Sequence, residues 1–219
     1  MQVLAVRTAR VLAFFNSEEL NPAGRAIAHD YMKGFVQRYS FLKFPQTVED
    51  FDESKGINFE TGKWGDIGID KVALFSWGVV VDTTASTDAS EAILQDMLDW
   101  GAESFGLSNR SEMITRRVYL SELIFTSDLS LSVINPKIQE LGEQITDSIS
   151  RHFHQTLEYG ISGISLHFDT RHSRQGLSPL KVERLEGVPY PDKRYYSVAP
   201  LPTAEHIKFL EDFEAALKG

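Results

Sequence analysis

The stretch HFDTRHSRQG, His167 to Gly176, places two histidines, an aspartate and two arginines within ten residues. Side chains of these types can ligate a metal, carry a proton or grip a phosphate. His152 and His154 lie just upstream, so four of the six histidines fall between positions 152 and 172. If both pairs sit on strands, the spacing of two puts His152 with His154, and His167 with Asp169, on a common face, as strand-borne metal ligands require. His172 or Glu183 could complete such a set. His152, His154, His167 and Asp169 are therefore the candidate metal ligands, and His167, Asp169 and His154 the candidate catalytic groups. Arg171, Arg174 and Arg194, with Arg184 and Lys193 nearby, are the candidate anion cradle, because guanidinium forks match phosphate and carboxylate geometry.

Each established catalytic template fails at a required position. There is no HExxH zinc helix, and HFHQT lacks the Asp-His that a binuclear metallohydrolase needs. A two-histidine phosphoesterase would need a second copy of the tetrad around His154 and Thr156. The nearest approach to a serine-hydrolase elbow, GISGIS around Ser162 and Ser165, lies in a strand pattern rather than at a strand-to-helix turn. VVVDTTASTDAS could present a helix N-terminus to an anion. Its loop has neither glycine nor lysine, and Asp82 and Asp88 would repel phosphate unless a divalent ion intervened. The competing reading of the histidine segment is a polar strand end facing water.

Bulk composition narrows the classes further. The 219-residue chain has no cysteine, which excludes thiol nucleophiles and disulfides and fits a reducing cytoplasm. Its net charge of −9 disfavours nucleic acid and anionic membranes. That charge is uneven: residues 1–150 carry 13 basic against 22 acidic side chains, residues 151–198 seven against five. YPDKRYY, from Tyr190 to Tyr196, mixes aromatic and basic residues as a single-strand nucleic-acid surface would, but as one short cluster in an acidic chain it reads as a packed hairpin edge. No uncharged apolar run approaches the length of a membrane span. Arg7 and Arg10 interrupt the apolar N-terminus, which reads as a strand rather than a signal peptide.

The elements that must position these residues follow from periodicity. Strands are expected in QVLAVRTARVLAFF, in GINFETGKW and the region after it, in RRVYLSELIFTSD, in LEYGISGISLHFD, and in LKVERLEG and YYSVAP. KVALFSWGVVVD is apolar almost without alternation and reads as a strand covered on both faces, at the centre of a sheet. Helices are expected after Asn21-Pro22, after Asp88 with Glu91 at capping-box spacing, after Asn135-Pro136, and from Thr203. In the third, Ile134, Ile138, Leu141, Ile145 and Ile149 hold helical spacing. The aromatics Phe41, Phe44, Phe51, Phe59, Trp64 and Phe75 lack a long helix to cover them, and any left exposed would mark an interface.

The expectation is an α+β fold, a mixed and mainly antiparallel sheet with about four helices packed on it, spanning residues 1–219 as a single domain. The functional expectation is an acidic cytoplasmic binding or assembly protein with a protein partner, self-associating, with no cofactor. Its rival is a hydrolase or phosphoesterase using His152, His154, His167, Asp169 and Arg171 with a divalent metal. A further alternative is an anion or nucleotide sensor without turnover.

Overall fold

The computed structural model describes residues 1–21, 28–108, 111–128, 130–155, 158–169, 171 and 177–218. Eight strands form one antiparallel sheet in the order β2-β3-β4-β1-β5-β8-β7-β6, accompanied by four α-helices among the described residues, as the α+β expectation required. The strands are β1 (Gln2–Phe14), β2 (Ile57–Trp64), β3 (Ile67–Phe75), β4 (Gly78–Thr83), β5 (Arg116–Thr126), β6 (Gly163–Leu166), β7 (Leu180–Arg184) and β8 (Arg194–Ala199). The helices are α1 (Ala28–Arg38), α2 (Thr87–Phe105), α3 (Pro136–Phe153) and α4 (Thr203–Lys218). The expected start of α1 at Pro22 lies outside the described residues. The chain divides into two compact units: Met1–Ala5, Leu123–Ala199 and Glu205–Gly219 make one, Val6–Glu122 and Pro200–Ala204 the other.

The unit containing residues 6–122 holds an aromatic core. Phe35, Tyr39, Phe41 and Phe59 are buried beside Ile93, Leu94 and Met97 of α2. Phe35 meets Phe59 edge-on at 4.8 Å between ring centres, a favoured geometry for aromatic pairs. The apolar run KVALFSWGVVVD is not one strand. It is a hairpin whose turn, Ser76-Trp77, joins β3 to β4, and every residue of β4 is buried. Gly78 makes the turn possible: its φ is +151°, and a Cβ there would stand 2.1 Å from the Ala13 carbonyl oxygen. A bulge breaks the β3–β4 register between Ile69 and Lys71, which lets Ile69 and Val72, three apart, enter one core.

On the opposite side of these strands, charges alternate across neighbours. Lys43 pairs with Glu60 at 3.3 Å, Glu60 stands opposite Lys71, Lys71 opposite Asp82, and Arg10 holds Asp82 through two 2.7 Å bonds. Opposite charges on facing strands stabilise register, and they keep this side polar. Beside the row, Phe75, Trp77 and Phe14 stack in succession, and the Arg116 guanidinium lies 4.2 Å from the Phe14 ring centre.

The unit containing residues 123–199 builds its core from Leu123, Phe125, Leu131, Val182, Tyr195 and Leu210. Phe125 and Tyr195 pack at 5.5 Å. At one edge of this core the Met1 ammonium reaches Glu214 at 2.7 Å, and the Ser127 hydroxyl donates to the other carboxylate oxygen at 2.6 Å.

Candidate functional site

Helix α3 carries the first histidine pair. Asn135 caps its start, accepting from the backbone N–H groups of Lys137 and Ile138 at 3.1 and 3.3 Å, with Pro136 in the first turn, as the sequence predicts. The helix runs to Phe153, farther than its apolar pattern suggests. His152 therefore sits in the last helical turn and His154 is the left-handed C-cap at φ +54°. Residues two apart near a helix end diverge by roughly 200°, so these histidines do not share a face. His152 instead packs edge-on against Phe153 at 5.0 Å.

The second pair also misses its strand. β6 pairs only from Gly163 to Leu166, so His167 and Asp169 lie beyond its last paired residue. His167 Nε2 is 2.9 Å from the Ser165 hydroxyl. Asp169 folds back onto Arg171, accepting from its backbone N–H at 2.9 Å and from its guanidinium at 2.5 to 3.0 Å. That guanidinium holds the carboxyl below its ordinary range. Both side chains are exposed, so this is a turn that closes on itself. His172 and Arg174 lie outside the described residues. Among the described residues, no group of three or more His, Asp or Glu is arranged to hold a metal ion.

The remaining cations are dispersed. Arg184 donates to the Ile161 carbonyl at 3.0 Å and lies 4.0 Å from the Tyr190 ring centre. Lys193 donates to the Asp128 carbonyl, and Arg194 is exposed at the start of β8. In the hydroxyl-rich loop, Asp82 is committed to Arg10. The α2 N-cap is Ser86, accepting from Ala89 N–H at 3.1 Å, two residues before the expected Asp88. Thr87 and Thr203 cap one another: each backbone N–H donates to the other's hydroxyl, at 3.0 and 2.8 Å. Thr83 and Ser90 hydroxyls meet at 2.9 Å, and Ser90 bonds the Ala9 carbonyl at 2.7 Å. These hydroxyls serve the fold's own backbone.

A buried pair lies outside every sequence motif. His206 is wholly buried, with Nε2 2.8 Å from the Ser197 hydroxyl, which in turn donates to the Lys181 carbonyl at 2.6 Å. A hydroxyl has one proton, so the imidazole N–H donates to Ser197 and the serine is not activated as a nucleophile. No spacing signal links residues from a strand and the following helix in this way.

What stands out is apolar surface. Phe41 and Phe59 fill the core, but Phe44 and Phe51 are exposed and line an open groove of about 320 Å³ with Met32, Val36, Pro45 and the edge of Phe59. A larger feature is α3, which buries no residue. Ile138, Leu141 and Ile145 are 52%, 55% and 45% exposed, and Phe153 is 60% exposed. The sheltered positions are Gln139, Gly142, Thr146, Ile149 and Ser150, about a quarter turn round the helix. The two sheet edges differ as well. β2 is covered by residues 39–43, with Leu42, Lys43 and Lys63 N–H groups bonded across at 3.1, 3.2 and 2.6 Å. β6, Gly-Ile-Ser-Leu, is uncharged and has no further strand beside it among the described residues.

Among the described residues no helix is long and apolar enough to cross a membrane. No protein-family model matches the chain, and a search of curated proteins finds no match.

Proposed function

We propose that this is a non-catalytic binding or assembly protein that works through a protein–protein interface and self-associates, in the cytoplasm. The observation that carries the reading is the unburied apolar stripe on α3. A soluble protein seldom leaves such a stripe in water unless a partner covers it. The scattered, internally paired state of His167, Asp169, Arg171 and Arg184 supports the same reading over the hydrolase and the anion sensor.

The test is the dependence of melting temperature on protein concentration, which assembly of the folded state imposes by mass action. The wild type is expected to melt higher as concentration rises, and a Leu141→Glu/Ile145→Glu variant to melt at one temperature throughout. Zinc, manganese, inorganic phosphate and nucleotides are expected to leave the melting temperature unchanged. A rise with zinc or manganese that is lost in His167→Ala would instead favour the metal-dependent hydrolase.

A further inference from the structure

We infer that the occupant of the α3 stripe is α3 of a second copy, packed antiparallel across a two-fold axis beside Leu141, so that Ile138 faces the partner's Ile145. The inference deepens the proposed assembly role and rests on it.

Helix α3 cannot hide its own stripe. Its sheltered side is pinned by backbone contacts: a Cβ on Gly142 would lie 2.9 Å from the Tyr159 carbonyl oxygen, and the Tyr159 N–H donates to the Thr146 hydroxyl at 2.9 Å. Rolling the helix to bury Ile138, Leu141 and Ile145 would break that hydrogen bond and drive larger side chains into the space that Gly142 leaves open. The stripe stays outward, and a cover must come from elsewhere.

A two-fold axis beside Leu141 sets Ile138 against the partner's Ile145 twice, with the two Leu141 side chains flanking the axis between these pairs, as antiparallel helix packing allows. Electrostatics permits it in an acidic chain. Glu140, Glu143 and Asp147 all project from the side of α3 away from the stripe, while Lys137, Gln144 and Ser148 flank it. Two copies thus meet without opposed carboxylates. Ile138, Leu141 and Ile145, 45% to 55% exposed, supply the apolar seam, and the flanking Lys137, Gln144 and Ser148, all exposed, extend the contact toward the about 800 Å² that each partner gives to a standard interface.

The absence of cysteine makes the arrangement directly testable in the full chain. Under mild oxidation Leu141→Cys is expected to form a disulfide-linked dimer readily. Ile138→Cys and Ile145→Cys should cross-link when mixed, and each far less alone. Glu143→Cys, on the far side of the helix, should cross-link at least tenfold more slowly than Leu141→Cys. Cross-linking of Leu141→Cys no faster than Glu143→Cys, with no mixed 138–145 product, overturns the inference. If the wild type still sediments as a dimer in that case, assembly stands and uses another face. If it sediments as one chain, both fall. Should Leu141→Cys fold poorly by circular dichroism, the mixed pair decides alone.

Discussion

Helices α2 and α3 are nearly equal in length and in the quality of their sequence signals, yet they meet opposite fates. Both are capped by a side-chain oxygen, Ser86 for α2 and Asn135 for α3. Both draw an apolar stripe. α2 buries six residues, among them Ile93, Leu94 and Met97, while α3 buries none. Periodicity dictates that a helix forms and which side is apolar; it is silent about whether the chain itself supplies the cover. In α2 the cover is the aromatic core around Phe35. In α3 no such cover lies over the stripe among the described residues, and the helix is held instead by Gly142 and Thr146 at its side.

Truncating one stripe residue on each helix should separate α2 from α3 most widely. Ile93→Ala removes a fully buried side chain and is expected to cost about 2–5 kcal/mol in denaturant unfolding. Leu141→Ala, read at low protein concentration, is expected to stay within about 0.5 kcal/mol of wild type, as an exposed substitution does. Equal losses would mean that α3 is buried in the isolated chain.

Glycines separate the two helices next. Gly142→Ala puts a methyl against the Tyr159 backbone at 2.9 Å, and is expected to cost about 1 kcal/mol despite the gain in helix propensity. Gly101→Ala in α2 meets the movable end of Leu107 at 3.0 Å and the Tyr31 ring in ordinary contact at 3.7 Å, and is expected to be close to neutral. The caps should behave alike: Ser86→Ala and Asn135→Ala are each expected to cost about 1 kcal/mol, because capping is local and indifferent to what covers the helix. Thermal unfolding of the four variants ranks them.

A last effect is silent at neutral pH and appears only in acid. The Met1 ammonium, then the Ser127 hydroxyl, hold Glu214 down to about 2 from an ordinary 4.5. A carboxyl depressed on folding adds stability that is complete above its unfolded value and disappears as pH falls through its folded one. The contribution should therefore fade between pH 4.5 and about 2, and Glu214→Gln should flatten that part of the stability curve. An unchanged curve would remove this ion pair from the account.

Much of the fold was legible because strand and helix periods are local. β1, β5 and the Asn135-Pro136 start of α3 lie where pattern and cap chemistry put them. KVALFSWGVVVD reads as one strand because a lone Ser76-Trp77 between apolar runs lacks the Asn-Gly or Asp-Gly of a strong hairpin turn, and Gly78 acts through a close approach to Ala13 that only the folded sheet creates. The candidate site was less legible. Shared-face spacing for His152 with His154 presumed a strand, and α3 runs on to Phe153. The pairing of Asp169 with Arg171 turns two reactive types into a closed turn. The reciprocal caps of Thr87 and Thr203, 116 residues apart, have no sequence signature.

Sedimentation equilibrium of the wild type beside the Leu141→Glu/Ile145→Glu variant decides whether the α3 stripe is an interface between copies. The wild type is expected at twice the 24.7 kDa chain mass and a folded variant at one chain mass. A wild type that stays at one chain mass across the micromolar range, or a variant that remains as associated as the wild type, would contradict that interface.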